Sequence, residues 1–198
     1  KTKWGVIQQS ASDREVWNAT WTELEDIQAL LERERHPFSS EIKDWMQKRE
    51  TELRKQFDSK MREGKGWMNM GSYSDAAPCF QGNFDDDRFK PEWRLQAGRW
   101  FLVCESVSEA IKRGSELGKT LGNELSTVLA DIDREDWTQA KSRLEAIGRR
   151  QYGSTNSDVL NFLEAEITTH LALQRFSRKD LSPRDRLAGF EQARGALE

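Results

Sequence analysis

Residues 91–132 read PEWRLQAGRWFLVCESVSEAIKRGSELGKTLGNELSTVLADI, and this stretch decides the fold. An apolar or small residue recurs in alternating steps of four and three: Trp93, Ala97, Trp100, Cys104, Val107, Ile111, Gly114, Gly118, Leu121, Leu125, Val128, Ile132. A mean step of 3.5 residues keeps one stripe on one helix face, the pattern of helices packed along their length. The stripe runs through Gly114, Gly118 and Gly122 without losing phase, so the spacing predicts one helix of about 60 Å from Pro91 to Ile132. The three glycines then form a small-residue surface for close contact with another helix. Each costs about 1 kcal/mol relative to alanine, so a break at this point is the competing reading.

Outward from this run the helical signals continue. Ser12 with Glu15 makes a capping box ahead of Val16, Trp17, Trp21, Leu24, Ile27, Leu30 and Leu31. His36-Pro37 should end that helix, because proline disfavours helical geometry in the residue before it. Ser39 and Ser40 are candidate caps for a second helix, Glu41 to Glu63, in which 13 of 23 residues are charged and Gly64 is the expected stop. Acid-before-base pairs such as Asp44/Lys48, Glu50/Arg54 and Asp58/Arg62 leave it a solvated helix with one narrow seam. After the long run, Asp133 and Asp136 restart a helix with Trp137, Ala140, Leu144 and Ile147 inside. Thr155 and Asn156 can cap another, burying Leu160, Leu163, Ile167 and Leu171, and Ser182-Pro183 begins a last one.

Residues 64–91 show no period. They mix Gly64, Gly66, Gly71, Gly82, Pro78 and Pro91 with Trp67, Tyr73, Phe80, Phe84 and Phe89. The reading is an irregular aromatic cap, and its long loop is also the place to look for a site. The expected architecture is therefore all-α. An elongated antiparallel bundle spans 1–132 with an insertion at 64–91, and shorter helices over 133–198 pack on it or extend it, the two readable as one continuous domain.

Composition narrows the function classes. Charged residues make up 33% of the chain and apolar ones 36%, which suits narrow stripes on solvated helices. The 31 basic and 34 acidic side chains interleave, so the basic excess of a nucleic-acid binder is missing. No apolar run reaches the roughly 18 residues of a membrane span, and no signal peptide is evident. The lysine at position 1 and the helical character of the last residues suggest a piece of a longer protein.

Motifs for chemistry fail on spacing. Gly114, Gly118, Lys119 and Thr120 resemble a phosphate loop, but the first gap is one residue short and no strand precedes it. Asp85, Asp86 and Asp87 match no calcium loop and read as a solvated acidic turn. His36, His170, Cys79 and Cys104 are too scattered for zinc, and neither cysteine lies in a nucleophile motif. Asn18-Ala19-Thr20 is a glycosylation sequon inside a helix. No cofactor or metal is expected, and no catalytic residue can be named. A bridge between Cys79 and Cys104 would staple the cap to the bundle and place the chain in a periplasmic or extracellular compartment. Without it, the cytoplasm is the default.

The leading functional expectation is a non-enzymatic helical interaction or scaffold module, binding a protein partner or itself through its helices. Its candidate surface is Trp67, Tyr73, Phe80, Phe84, Trp93 and Trp100. The alternative is a sensor ectodomain binding a small ligand among Trp17, Trp21, Trp93 and Trp100. A third reading is an enzyme with its site in 64–91.

Overall fold

The computed structural model describes residues 17–112, 117–148 and 157–177, together with 182 and 184. The described residues form seven helices and no strand: α1 Trp17–Arg33, α2 Phe38–Asn69, α3 Tyr73–Phe84, α4 Pro91–Lys112, α5 Leu117–Asp133, α6 Trp137–Gly148 and α7 Ser157–Ser177. The protein is all-α over this span. The Ser12/Glu15 box, Gly114, the Thr155/Asn156 cap, the side chains of Trp17 and Trp21 and nearly all of the last expected helix lie outside it.

Two expectations about helix limits are corrected. The first concerns 64–91, which is mostly helical. Helix α2 passes through Gly64 and Gly66 and stops at Gly71, which has φ of 76°. There the Ser72 N–H reaches back to the Trp67 carbonyl at 2.9 Å and the Gly71 N–H to the Met68 carbonyl at 2.8 Å, a Schellman end. Ser72 then opens α3, its hydroxyl donating a hydrogen bond to the Asp75 carboxylate. Pro78 sits inside α3 and has no N–H for the Ser74 carbonyl. Burial of Tyr73, Ala76, Ala77 and Phe80 on the same helix offsets that loss.

The second correction concerns the long stripe, which is not one helix. Trp100 Nε1 donates to Asp133 Oδ2 at 3.0 Å. On a straight helix those residues would stand about 50 Å apart. A Cβ placed on Gly118 would lie 3.0 Å from Ile111 Cγ1. Helices α4 and α5 therefore run antiparallel, and the stripe faces itself: Val103, Cys104 and Val107 are fully buried on one side, and Leu121, Leu125 and Val128 on the other. The four residues 113–116 happen to preserve the 3.5-residue phase across the reversal, so periodicity alone could not reveal it.

Other helix ends follow local chemistry. Helix α1 closes on Arg35 (φ 52°) and α5 on Glu135 (φ 60°). In each case the following residue bonds back five positions, His36 to Leu31 at 2.8 Å and Asp136 to Asp131 at 2.9 Å. These are Schellman ends without glycine, held at some steric cost. His36, rather than Ser39 or Ser40, supplies the acceptor at the start of α2, its Nδ1 taking the Phe38 N–H at 3.3 Å. Asp136 caps α6 through the Gln139 N–H at 3.1 Å, and the buried residues of α6 are Trp137, Ala140, Leu144 and Ile147.

The chain divides into two compact units, residues 1–63 with 79–98, and residues 64–78 with 99–198. The core of the first is aromatic. Phe57, fully buried, meets Phe89 edge-on at 5.4 Å and Trp93 at 5.8 Å. Arg54 lies 5.0 Å from the Trp93 ring centroid, and Lys90 pairs with Glu50 at 2.7 Å. The core of the second is mostly aliphatic, with Tyr73, Trp100 and Trp137 among its buried side chains, and is built on the α4/α5 hairpin with α6 and α7. None of the described helices is long and apolar enough to cross a membrane.

Candidate functional site

In the second unit, charged and aromatic side chains converge around the turn from α5 to α6. Asp131 and Asp133 end α5, and both point inward. Asp131 has 1% of its side chain exposed, with Oδ1 bonded to Arg134 and Oδ2 2.7 Å from Arg143 Nε. The second contact is an ion pair without hydrogen-bond geometry. Asp133 Oδ2 accepts from Lys65 Nζ at 3.1 Å and Trp100 Nε1 at 3.0 Å, while Lys65 also lies 4.2 Å from the Trp100 ring centroid. Asp133 Oδ1 is buried with no hydrogen-bond partner.

One turn further, α6 and α7 meet through Trp137 and His170. Their rings stack with centroids 3.9 Å apart and planes 3° apart. Beside them Arg99 of α4 clamps Glu166 of α7, its Nε lying 2.8 and 2.9 Å from the two carboxylate oxygens. Both side chains are about nine-tenths buried, a charge-assisted pair of high geometric specificity. Burial pushes the His170 pKa below its ordinary value. Glu166 and Glu135 oppose that shift, and Arg99 adds to it. An open cleft of about 440 Å³ leads to the stack, lined by Glu135, Trp137, His170, Leu173, Gln174 and Ser177. A second cleft of about 360 Å³ lies along α6 and α7 over Leu144, Leu160 and Ile167.

The residues singled out from sequence are distributed differently. Tyr73 and Phe80 are buried at 2% and 0% exposure, and Trp93 and Trp100 at 9% and 4%, so these four rings are core. Trp67 and Phe84 are partly exposed. Phe84 lies over Gly98, where an added Cβ would be 2.9 Å from the ring, and Arg94 donates to the Phe84 carbonyl at 2.8 Å. Gly122 is crossed by the Tyr73 phenol, so that any Cβ there would run into Tyr73 Oη and Cζ. Tyr73 also donates to Asn123 at 3.3 Å, and burial raises its pKa. Cys104 is buried and Cys79 half-buried.

The acidic turn at 85–87 is corrected in part. Asp86 is buried rather than solvated, gripped by Arg88 at 2.9 and 2.6 Å. That hydrogen bonding holds its carboxyl below the usual range. Among the described residues, no group of three His, Cys, Asp or Glu side chains is placed to hold a metal ion.

Sequence reasoning missed Asp131, Asp133, Arg99, Glu166 and the His170 stack. A signal was available for one of them. Asp131 lies beside the seam position Ile132 and one turn after Val128, close enough to the apolar stripe to be drawn inward with it. Apart from the local Asp131–Arg134 pair, the partners come from other helices, and no local pattern records them. The chain matches no protein-family model, no curated protein and no solved structure.

Proposed function

We propose that this protein is a non-enzymatic helical interaction module that docks a protein partner on the outer face of α7. The observation that carries the reading is the exposed apolar stripe of that helix. Phe162, Leu173 and Phe176 are each 41% exposed and share one side of the helix, next to the buried strip of Val159, Leu163 and Ile167. At that exposure the three side chains offer on the order of 250 Å². A stable interface needs about 800 Å² from each partner. The stripe therefore suits a short amphipathic segment of another protein better than a second copy of this chain. The clefts along α6 and α7 are open rather than enclosed, which supports surface docking over catalysis. The ligand-sensing alternative is less well supported, because Trp93 is covered by Phe57, Phe89 and Arg54, and Trp100 by Lys65 and Asp133.

A photo-crosslinking residue placed at Leu173 tests the reading against the same residue at Thr138, an exposed position on α6. The expected result is an adduct from Leu173 alone that maps to an amphipathic segment and disappears with Phe162→Asp and Phe176→Asp. Equal labelling from both positions, or an adduct indifferent to those substitutions, would contradict it.

A further inference from the structure

We propose that the α6–α7 joint is a proton-sensitive latch, closed while neutral His170 stacks on Trp137 and opened when His170 takes up a proton. Three observations place the device. The stack covers one face of the imidazole with indole at 3.9 Å. The cleft past Glu135, Leu173 and Gln174 gives a proton a route to the ring. The charged groups facing the ring come from three elements: Glu166 on α7 itself and Glu135 in the turn before α6, which favour the imidazolium, and Arg99 on α4, which opposes it. Glu166 is already bonded to Arg99, so its carboxylate is engaged by another cation. Glu135 is exposed to water, which screens it. The dominant effect left is lost hydration of the charged ring, and it disfavours the proton.

The sign follows from linkage. With the folded pKa of His170 below its unfolded value, the folded joint binds fewer protons than the open one. Its stability is complete above the ordinary histidine pKa of about 6.5 and is lost as pH falls through the folded pKa. The segment released runs from His170 to Ser177. It carries Leu173 and Phe176, so acid would dismantle one end of the docking stripe. Only that last consequence rests on the proposed function.

The chain has two histidines, which makes the test clean. In the His36→Gln full chain, an NMR titration reads His170 alone. The expected midpoint lies below 6.5, and amide protection over 170–177, corrected for intrinsic exchange, falls between about pH 7 and about pH 5 by a factor of up to about ten for each unit by which the midpoint is lowered. His170→Phe keeps an aromatic stack that cannot titrate, and it should hold protection constant over that range. A His170 midpoint above 6.5 would mean that Trp137 and the carboxylates retain the imidazolium, and it overturns the latch without any variant at position 170. Equal loss of protection in the His170→Phe chain also overturns it, while leaving the docking reading to the crosslinking test.

Discussion

Gly66 in α2 and Gly122 in α5 are both glycines in the interior of a helix, and their surroundings are opposite. A Cβ on Gly66 would meet nothing within 4 Å, whereas a Cβ on Gly122 would strike the phenol of Tyr73. The first is a propensity cost that α2 absorbs over its 32 residues. The second is a packing requirement, because α3 can cross α5 at that depth only where a side chain is missing. A glycine in a helical pattern thus carries no fixed meaning, and its neighbour across the interface decides whether it is a weakness or a contact.

Substitutions can break this contrast, beginning with the largest effect. Gly122→Leu should cost about 3 kcal/mol through overpacking. In the Tyr73→Ala background the new side chain occupies the vacated space, so the double variant should be clearly more stable than the sum of the single costs. Denaturant unfolding of the four chains measures this coupling. Strict additivity would mean that Gly122 and Tyr73 are not in contact.

Gly71 sharpens the comparison from the other side. Its φ of 76° makes Gly71→Ala destabilising by about 1 kcal/mol despite the open space around it. Gly66→Ala, in ordinary helical geometry, should instead stabilise by about 0.5–1 kcal/mol. Thermal melts of the two variants should move in opposite directions, and a shared direction would remove the distinction between conformational and steric glycines.

The smallest effect is expected where the chain lacks a glycine that the backbone would favour. Glu135→Gly relieves a left-handed residue at φ of 60° and should stabilise by a few tenths of a kcal/mol up to about 1 kcal/mol. The unfolded chain gains entropy from the same change, which keeps the benefit small. A loss of stability in chemical unfolding would show that the Glu135 side chain contributes more to the fold than its backbone geometry costs.

These contrasts explain what could be read in advance. The all-α class, the α6 core of Trp137, Ala140, Leu144 and Ile147, and the break at His36-Pro37 follow from local period and local sterics, which a sequence records directly. The extent of α2 past Gly64 was not legible, because its end depends on a Schellman closure at Gly71 rather than on the first glycine met. The helical character of α3 was hidden by Pro78, whose missing hydrogen bond is offset by burial that only tertiary packing supplies. The reversal between α4 and α5 was hidden by a phase that survives the turn. The Asp131, Asp133 and His170 contacts join residues far apart in sequence. They are set by which helices meet, and a single chain of letters does not state that.

The packing of Gly122 and the joint that presents α7 are both built on the hairpin made when the stripe of 93–132 folds back on itself. Spin labels at Leu102 and Arg134, both exposed, test it directly in a chain with Cys79 and Cys104 replaced. Pulsed electron resonance should give an interspin distance of roughly 15–25 Å, since Trp100 and Asp133 are in hydrogen-bond contact and each label adds a few ångströms to the separation of packed helices. A distance near 48 Å, the length of about 32 residues of continuous helix, would contradict it.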